Sequence, residues 1–130
     1  MLDSSKQAIL LVDDDEVQLA WSKKILVHHG YKVDIARSAE KGLELISKQP
    51  YDLIVSDLMM PGMSGIDFVR EIGSFEKDYK VVLMTGHADV DTFIESVYGL
   101  GALEYIVKPI DGKDFIEIVC KLTSNDFGNG

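Results

Sequence analysis

Four apolar runs in this chain each end on residues that can do chemistry. AILLV (8–12) runs into Asp13, Asp14 and Asp15, and LIV (53–55) leads through Ser56 into Asp57. VVLM (81–84) is followed by Thr85 and Gly86, and YIV (105–107) by Lys108 and Pro109. Gathered at one place, these residues supply several carboxylates, a hydroxyl and an ammonium. Carboxylates held that closely repel one another, which raises their pKa values or calls for a cation. An all-oxygen donor set suits a hard divalent ion. Magnesium typically takes one or two carboxylates, keeps several waters and leaves room for a phosphate oxygen. With the charge neutralised, Asp57 can approach an anionic phosphoryl group and act as a nucleophile, giving an aspartyl phosphate. Lys108 can then pair with one phosphoryl oxygen as a point charge, and Thr85 can donate a hydrogen bond to another. Taken singly, each residue has an ordinary explanation: Asp15 as a helix N-cap, Asp57 as a turn former, Thr85 and Lys108 as solvated loop residues. Their coincidence at four strand ends argues for a site.

The elements that must hold these residues are legible in outline. Continuous β-branched and leucine runs of this length suit strands covered on both faces. YKVDIA (31–36) is a weaker strand, with polar residues interleaved. Helical spacing appears between the strands: Ala39, Gly42, Leu43, Ile46; then Gly65, Phe68, Val69, Ile72; then Val90, Phe93, Ile94, Val97; then Phe115, Ile118, Val119, Leu122. A first helix is expected over about 16–29, with Val17, Trp21 and Ile25 on one face and Gly30 as its stop. Trp21 therefore reads as packing rather than a ligand contact, and Cys120 as a small core hydrophobe. His28 and His29 close that helix, where partial positive charge is favourable, and do not read as metal ligands. Strand and helix alternate throughout, which predicts an α/β fold with a parallel sheet between helices and right-handed crossovers. The weak second strand suits a sheet edge. An order of 2-1-3-4-5 places it there and opens a crevice beyond the carboxyl ends of the first and third strands.

At 130 residues the chain reads as one domain. Its working core is expected over about 6–123, with 124–130 as a frayed tail or the start of a linker. A formal net charge of −9 argues against a nucleic-acid or anionic-membrane surface within it. No run approaches the roughly 18 apolar residues of a membrane span, and the start MLDSSKQ lacks a signal-peptide core. The single cysteine permits no internal disulfide, which fits a reducing cytoplasm.

ILLVDDDE, LIVSDLMMPGMSG, VVLMTGHAD and YIVKP, in this order and spacing, resemble the receiver domain of two-component response regulators over about residues 6–123. The resemblance implies the flavodoxin-like (βα)5 three-layer sandwich. It makes Asp57 the phosphoacceptor, and it makes Asp13 and Asp14, with Asp57 and the backbone carbonyl of Met59, the holders of Mg2+ (or Mn2+). It casts Thr85 and Tyr105 as switch residues, Lys108 as the partner of the phosphoryl group, and Pro109 as a proline preceded by a cis peptide bond. The phosphoryl source is then a histidine kinase or histidine phosphotransfer domain in the cytoplasm. The readout is a repacked surface around the fourth predicted helix, the fifth strand and the last helix, controlling an output domain or partner, with phosphorylation-dependent dimerisation open. Such a domain is a phosphoacceptor that assists its own phosphorylation and dephosphorylation rather than a turnover enzyme. Met59 and His87 fall where members of the family tune dephosphorylation. Glycine at 86 leaves room for a donor to reach Asp57. MTGHADVDT looks most like receivers attached to transcriptional activators of the nitrogen-regulation type.

Other classes fit less well. A haloacid-dehalogenase-type phosphatase needs a second acid two residues after its nucleophile, where Met59 stands. A flavin carrier of the same topology needs a hydroxyl- and glycine-rich loop after the first strand, where DDDE would repel the cofactor phosphate. A docking module that is never phosphorylated would have no use for so complete an acidic pocket.

Overall fold

The computed structural model describes residues 6–74, 79–86 and 104–124. Strand β1 (Ala8–Val12) leads to helix α1 (Glu16–His28), β2 (Lys32–Ala36) to α2 (Ala39–Lys48), and β3 (Leu53–Asp57) to α3 (Gly65–Gly73). Strands β4 (Val81–Thr85) and β5 (Glu104–Val107) follow, and then the last helix, Gly112–Thr123. The helix expected over 90–97 lies outside the described residues. The five described strands are all parallel, in the order β2-β1-β3-β4-β5. This is the flavodoxin-like three-layer arrangement, and the weakly apolar β2 is at an edge.

The strands alternate between two cores. Leu10, Val12, Ile54 and Leu83 pack with Ala39, Ile46, Phe68, Val69 and Ile72 of α2 and α3. Ile9, Leu11, Leu53, Val55, Val82 and Met84 pack on the other face with Leu19, Leu26, Phe115 and Val119 of α1 and the last helix. Both faces of the sheet are thus covered, which is why the strands read as unbroken apolar runs. At Gly42 a Cβ would come within 3.1 Å of both Phe68 and Val12, so the glycine lets α2 sit close to α3 and the sheet.

Two expectations are corrected. Val17 is 78% exposed, and α1 turns Leu19, Ser22 and Leu26 to the sheet rather than the face of Val17, Trp21 and Ile25. Trp21 and Ile25 are half-buried at the seam with the last helix, where the Trp21 and Phe115 rings lie 5.6 Å apart. Trp21 is a packing residue, but at a helix–helix contact. Cys120 is exposed rather than a core hydrophobe. The last helix buries Phe115, Val119 and Thr123, and Cys120 falls one step round from that face.

Candidate functional site at the carboxyl edge of the sheet

Register decides which side chains meet. Val12 pairs with Ser56, so Asp13 and Asp57 are the next residues on adjacent strands. Asp57 pairs with Met84 and Thr85 pairs with Val107, which puts Lys108 one step beyond. The backbone ladder continues past the strands: Asp13 N–H donates to Ala36 O (3.1 Å), Leu58 N–H to Met84 O (2.7 Å) and Lys108 N–H to Thr85 O (2.7 Å). The reactive side chains thus ride on hydrogen-bonded sheet rather than on free loops.

Asp13, Asp14 and Asp57 each bring one carboxylate oxygen to a spot where all three lie within 4.8 Å of one another. Asp13 and Asp57 are buried, whereas Asp14 is exposed. The Lys108 ammonium stands 3.6 Å from Asp57 Oδ1 and 3.7 Å from Asp13 Oδ2, between the two buried acids. Thr85 is buried at the end of β4. Asp15 caps α1, accepting from the N–H groups of Val17 and Gln18, and so serves the helix. The Lys108–Pro109 peptide bond is cis. Tyr105 is in register with Leu83 in β5; the expectation for its side chain, like that for His87, lies outside the described residues.

The electrostatics follow from crowding under partial burial. Burial chiefly pushes Asp13 up to about 6; the neighbouring Asp57 and Asp14 charges add to this, while a hydrogen bond from Asp15 N–H and the Lys108 charge oppose it. Asp57 is raised as well, again mainly by burial, against the pull of Lys108 and of the Leu58 and Met59 N–H groups. The ionised pair is therefore strained, and a cation would relieve it. Three carboxylates with only oxygen donors fit a hard divalent ion.

The loop after β3 is closed on itself. Gly65 N–H donates to Leu58 O at 2.9 Å, and Ser64 caps α3 through Asp67 N–H. A Cβ at Gly65 would lie 2.5 Å from Asp57 O and 2.8 Å from Leu58 Cα, both backbone atoms that cannot move aside. Gly65→Ala should therefore destabilise the domain by about 2 kcal/mol and shift the loop that carries Asp57. Urea unfolding is the check, and a change of less than roughly 0.5 kcal/mol would show that the contact is soft.

An open cleft of about 520 Å3 flanks the cluster, lined by Gln18, Trp21, Gly86, Lys108 and Pro109 among others. A Cβ at Gly86 would reach Lys108 only at 4.0 Å, so this position keeps the approach clear. Beneath the cluster lies a chamber of about 10 Å3 that touches Asp13, Asp57, Gln18 and Ser22. Neither Gln18 nor Ser22 stood out in the sequence. Ser22 is in helical step with Leu19 and Leu26, and a polar residue in that step was the available signal.

The response regulator receiver domain model matches residues 9–120. The chain belongs to this family. Transcriptional regulatory protein ZraR of Klebsiella oxytoca is 36% identical over 103 residues, covering 79% of the receiver chain and 23% of ZraR. Acid tolerance regulatory protein ActR of Rhizobium meliloti (strain 1021) is 31% identical over 110 residues, covering 85% of this receiver and 56% of ActR. The receiver thus spans less than two-thirds of either regulator. The crystal structure of a CheY-like response regulator receiver domain protein from Methanospirillum hungatei JF-1 matches with a TM-score of 0.87 at 30% identity, covering 97% of this receiver and 100% of that chain. No helix among the described residues is long and apolar enough to cross a membrane.

Proposed function

We propose that this receiver, acting as a single cytoplasmic unit, takes a phosphoryl group from the phosphohistidine of a sensor kinase or phosphotransfer domain onto Asp57 and signals through the repacking that follows. The observation that carries this reading is one ammonium within 3.7 Å of two buried carboxylates at the end of a parallel sheet. Asp13, Asp14, Asp57 and the Met59 carbonyl would hold Mg2+ or Mn2+. When bound, the ion offsets the acids' charge and that of the incoming phosphoryl oxygens. An Asp57 oxygen attacks phosphorus, the P–N bond to the donor imidazole breaks, and the ring, already protonated on its other nitrogen, takes the bond's electron pair and leaves as neutral imidazole. Lys108 is already placed to follow the charge from the Asp57 carboxylate to a phosphoryl oxygen. Thr85, one residue beyond the Asp57–Met84 pair, supplies the hydroxyl for another oxygen. Tyr105 follows Thr85, and the surface around the fourth predicted helix, β5 and the last helix changes its partners: an output domain, a downstream protein or a second receiver. Hydrolysis of the acyl phosphate times the switch.

Incubation with magnesium and acetyl phosphate, read by intact mass, should give a single phosphoryl adduct on Asp57. Magnesium with beryllofluoride should give amide shifts centred there. A protein inert to both is not a working receiver. Lys108→Ala should keep the fold but slow adduct formation about tenfold or more, since a fixed charge facing the reacting oxygens is removed. An unaltered rate and an unaltered spectral response would take Lys108 out of the mechanism.

A further inference from the structure

Helix α1 turns Leu19, Ser22 and Leu26 to the sheet, and Ser22 is only 3% exposed. A leucine in that step would fill the space above it; the serine leaves the chamber of about 10 Å3, close to the room one water needs. Its apolar walls are Leu11, Leu19, Val55 and Met84, and its polar walls are Asp13, Asp57, Ser22 and Gln18. Gln18 Nε2 donates to Ser22 Oγ at 3.1 Å, and no other partner of that hydroxyl is found among the described residues. Gln18 also lines the open cleft, so the pair links the cleft to the underside of the acid cluster.

We propose that Gln18 and Ser22 are positioning residues for the aspartate cluster, acting through one structural water held in this chamber. Donor and acceptor counting gives the chain its direction. Ionised carboxylates only accept, so a water between Asp13 and Asp57 spends both protons on them. Its oxygen then needs a donor, and the Ser22 hydroxyl is free to donate because Gln18 occupies one of its lone pairs. The chain runs from amide to hydroxyl to water to the two carboxylates. It fixes the rear oxygens of Asp13 and Asp57, so that their front oxygens face the cation and the donor at a set angle. Groups behind metal ligands commonly set affinity by one to two orders of magnitude. Nothing in an apolar core requires a glutamine–serine pair at these steps, so the pair is better explained by what lies above it.

The inference rests on the receiver reading, and its test keeps the two apart. Wild-type protein is first titrated with Mg2+ by calorimetry and then with beryllofluoride; if it binds neither, both readings fall. Given binding, Ser22→Ala should weaken Mg2+ about tenfold with a melting temperature equal to or above wild type. Gln18→Met, which keeps the length but removes the amide donor, should act in the same direction and more weakly. Because Gln18 acts through Ser22, the double variant should match Ser22→Ala alone. A high-resolution crystal structure of the metal-free protein should show an ordered solvent peak within hydrogen-bonding distance of Ser22 Oγ. An empty chamber, Mg2+ affinity within about twofold of wild type for Ser22→Ala, or fully additive losses in the double variant would overturn the inference while leaving the receiver reading intact.

Discussion

Asp57→Asn protein, incubated with magnesium and acetyl phosphate, should carry no phosphoryl adduct, and without metal it should melt at or above the temperature of metal-free wild type. The two halves of this expectation have separate causes. An amide oxygen has the shape of a carboxylate oxygen but lacks its charge, so it is a poor nucleophile toward phosphorus. The surrounding structure has little reason to notice: the pull of the nearby Leu58 and Met59 N–H groups acts on an amide oxygen as it does on the carboxylate. Meanwhile the substitution removes one of three crowded negative charges from a mostly buried position. Burial holds the Asp57 carboxyl above its ordinary range, so its ionised form at neutral pH is a cost to the fold. Loss of uptake should be complete, because Thr85 and Lys108 are not alternative acceptors for a stable acyl phosphate. An adduct of wild-type size in the variant would mean that another carboxylate, Asp14 being the accessible one, is the acceptor. A large fall in melting temperature would mean that the Lys108–Asp57 pair stabilises the fold more than crowding weakens it.

The sheet and its reactive edge were legible for the same reason. In a sheet buried on both faces, an apolar run cannot continue past the covered region, so the first polar residue after each run marks the rim. Asp13, Thr85 and Lys108 are those residues, Asp57 follows one step after the buried Ser56, and parallel register brings the four together. The helices were legible where the apolar stripe is complete: Gly65, Phe68, Val69 and Ile72 are all buried in α3. They misled where a polar residue takes a buried step. Ser22 hides the true face of α1, and an exposed Val17 advertises a false one. In the last helix Thr123 is buried because its hydroxyl donates back to Val119 O at 2.8 Å, satisfying itself inside the helix. That moves the buried face toward Phe115, Val119 and Thr123 and leaves Cys120 outside. Period counting treats serine and threonine as polar; a buried partner makes them core residues.

Asp13→Asn separates charge crowding from metal binding, and its expected effect is the larger because Asp13 is so deeply placed. Asp13 is 5% exposed, and its pKa is pushed up from 3.8 to about 6. A carboxyl whose folded-state pKa lies above its unfolded value binds more protons folded than unfolded. Its contribution to stability is therefore fully present below pH 3.8 and lost as pH rises through about 6. At pH 7 the metal-free wild type should thus carry a penalty at this site on the order of 3 kcal/mol. Asparagine removes it while its side-chain oxygen still accepts from Asp15 N–H, which reaches the carboxylate at 3.0 Å. Metal-free Asp13→Asn should accordingly melt several degrees higher than wild type at pH 7 and show little advantage near pH 4. Magnesium should reverse the order: it should raise the wild-type melting temperature, more strongly at pH 7 than at pH 5 because protons compete for the same oxygens. The variant should barely respond. Thermal melts at pH 4, 5 and 7, with and without magnesium, test these expectations together. A metal-free variant that melts below wild type at pH 7 would show that the 3.7 Å Lys108–Asp13 contact outweighs repulsion among the acids. An undiminished magnesium response would show that Asp14 and Asp57 hold the ion without Asp13.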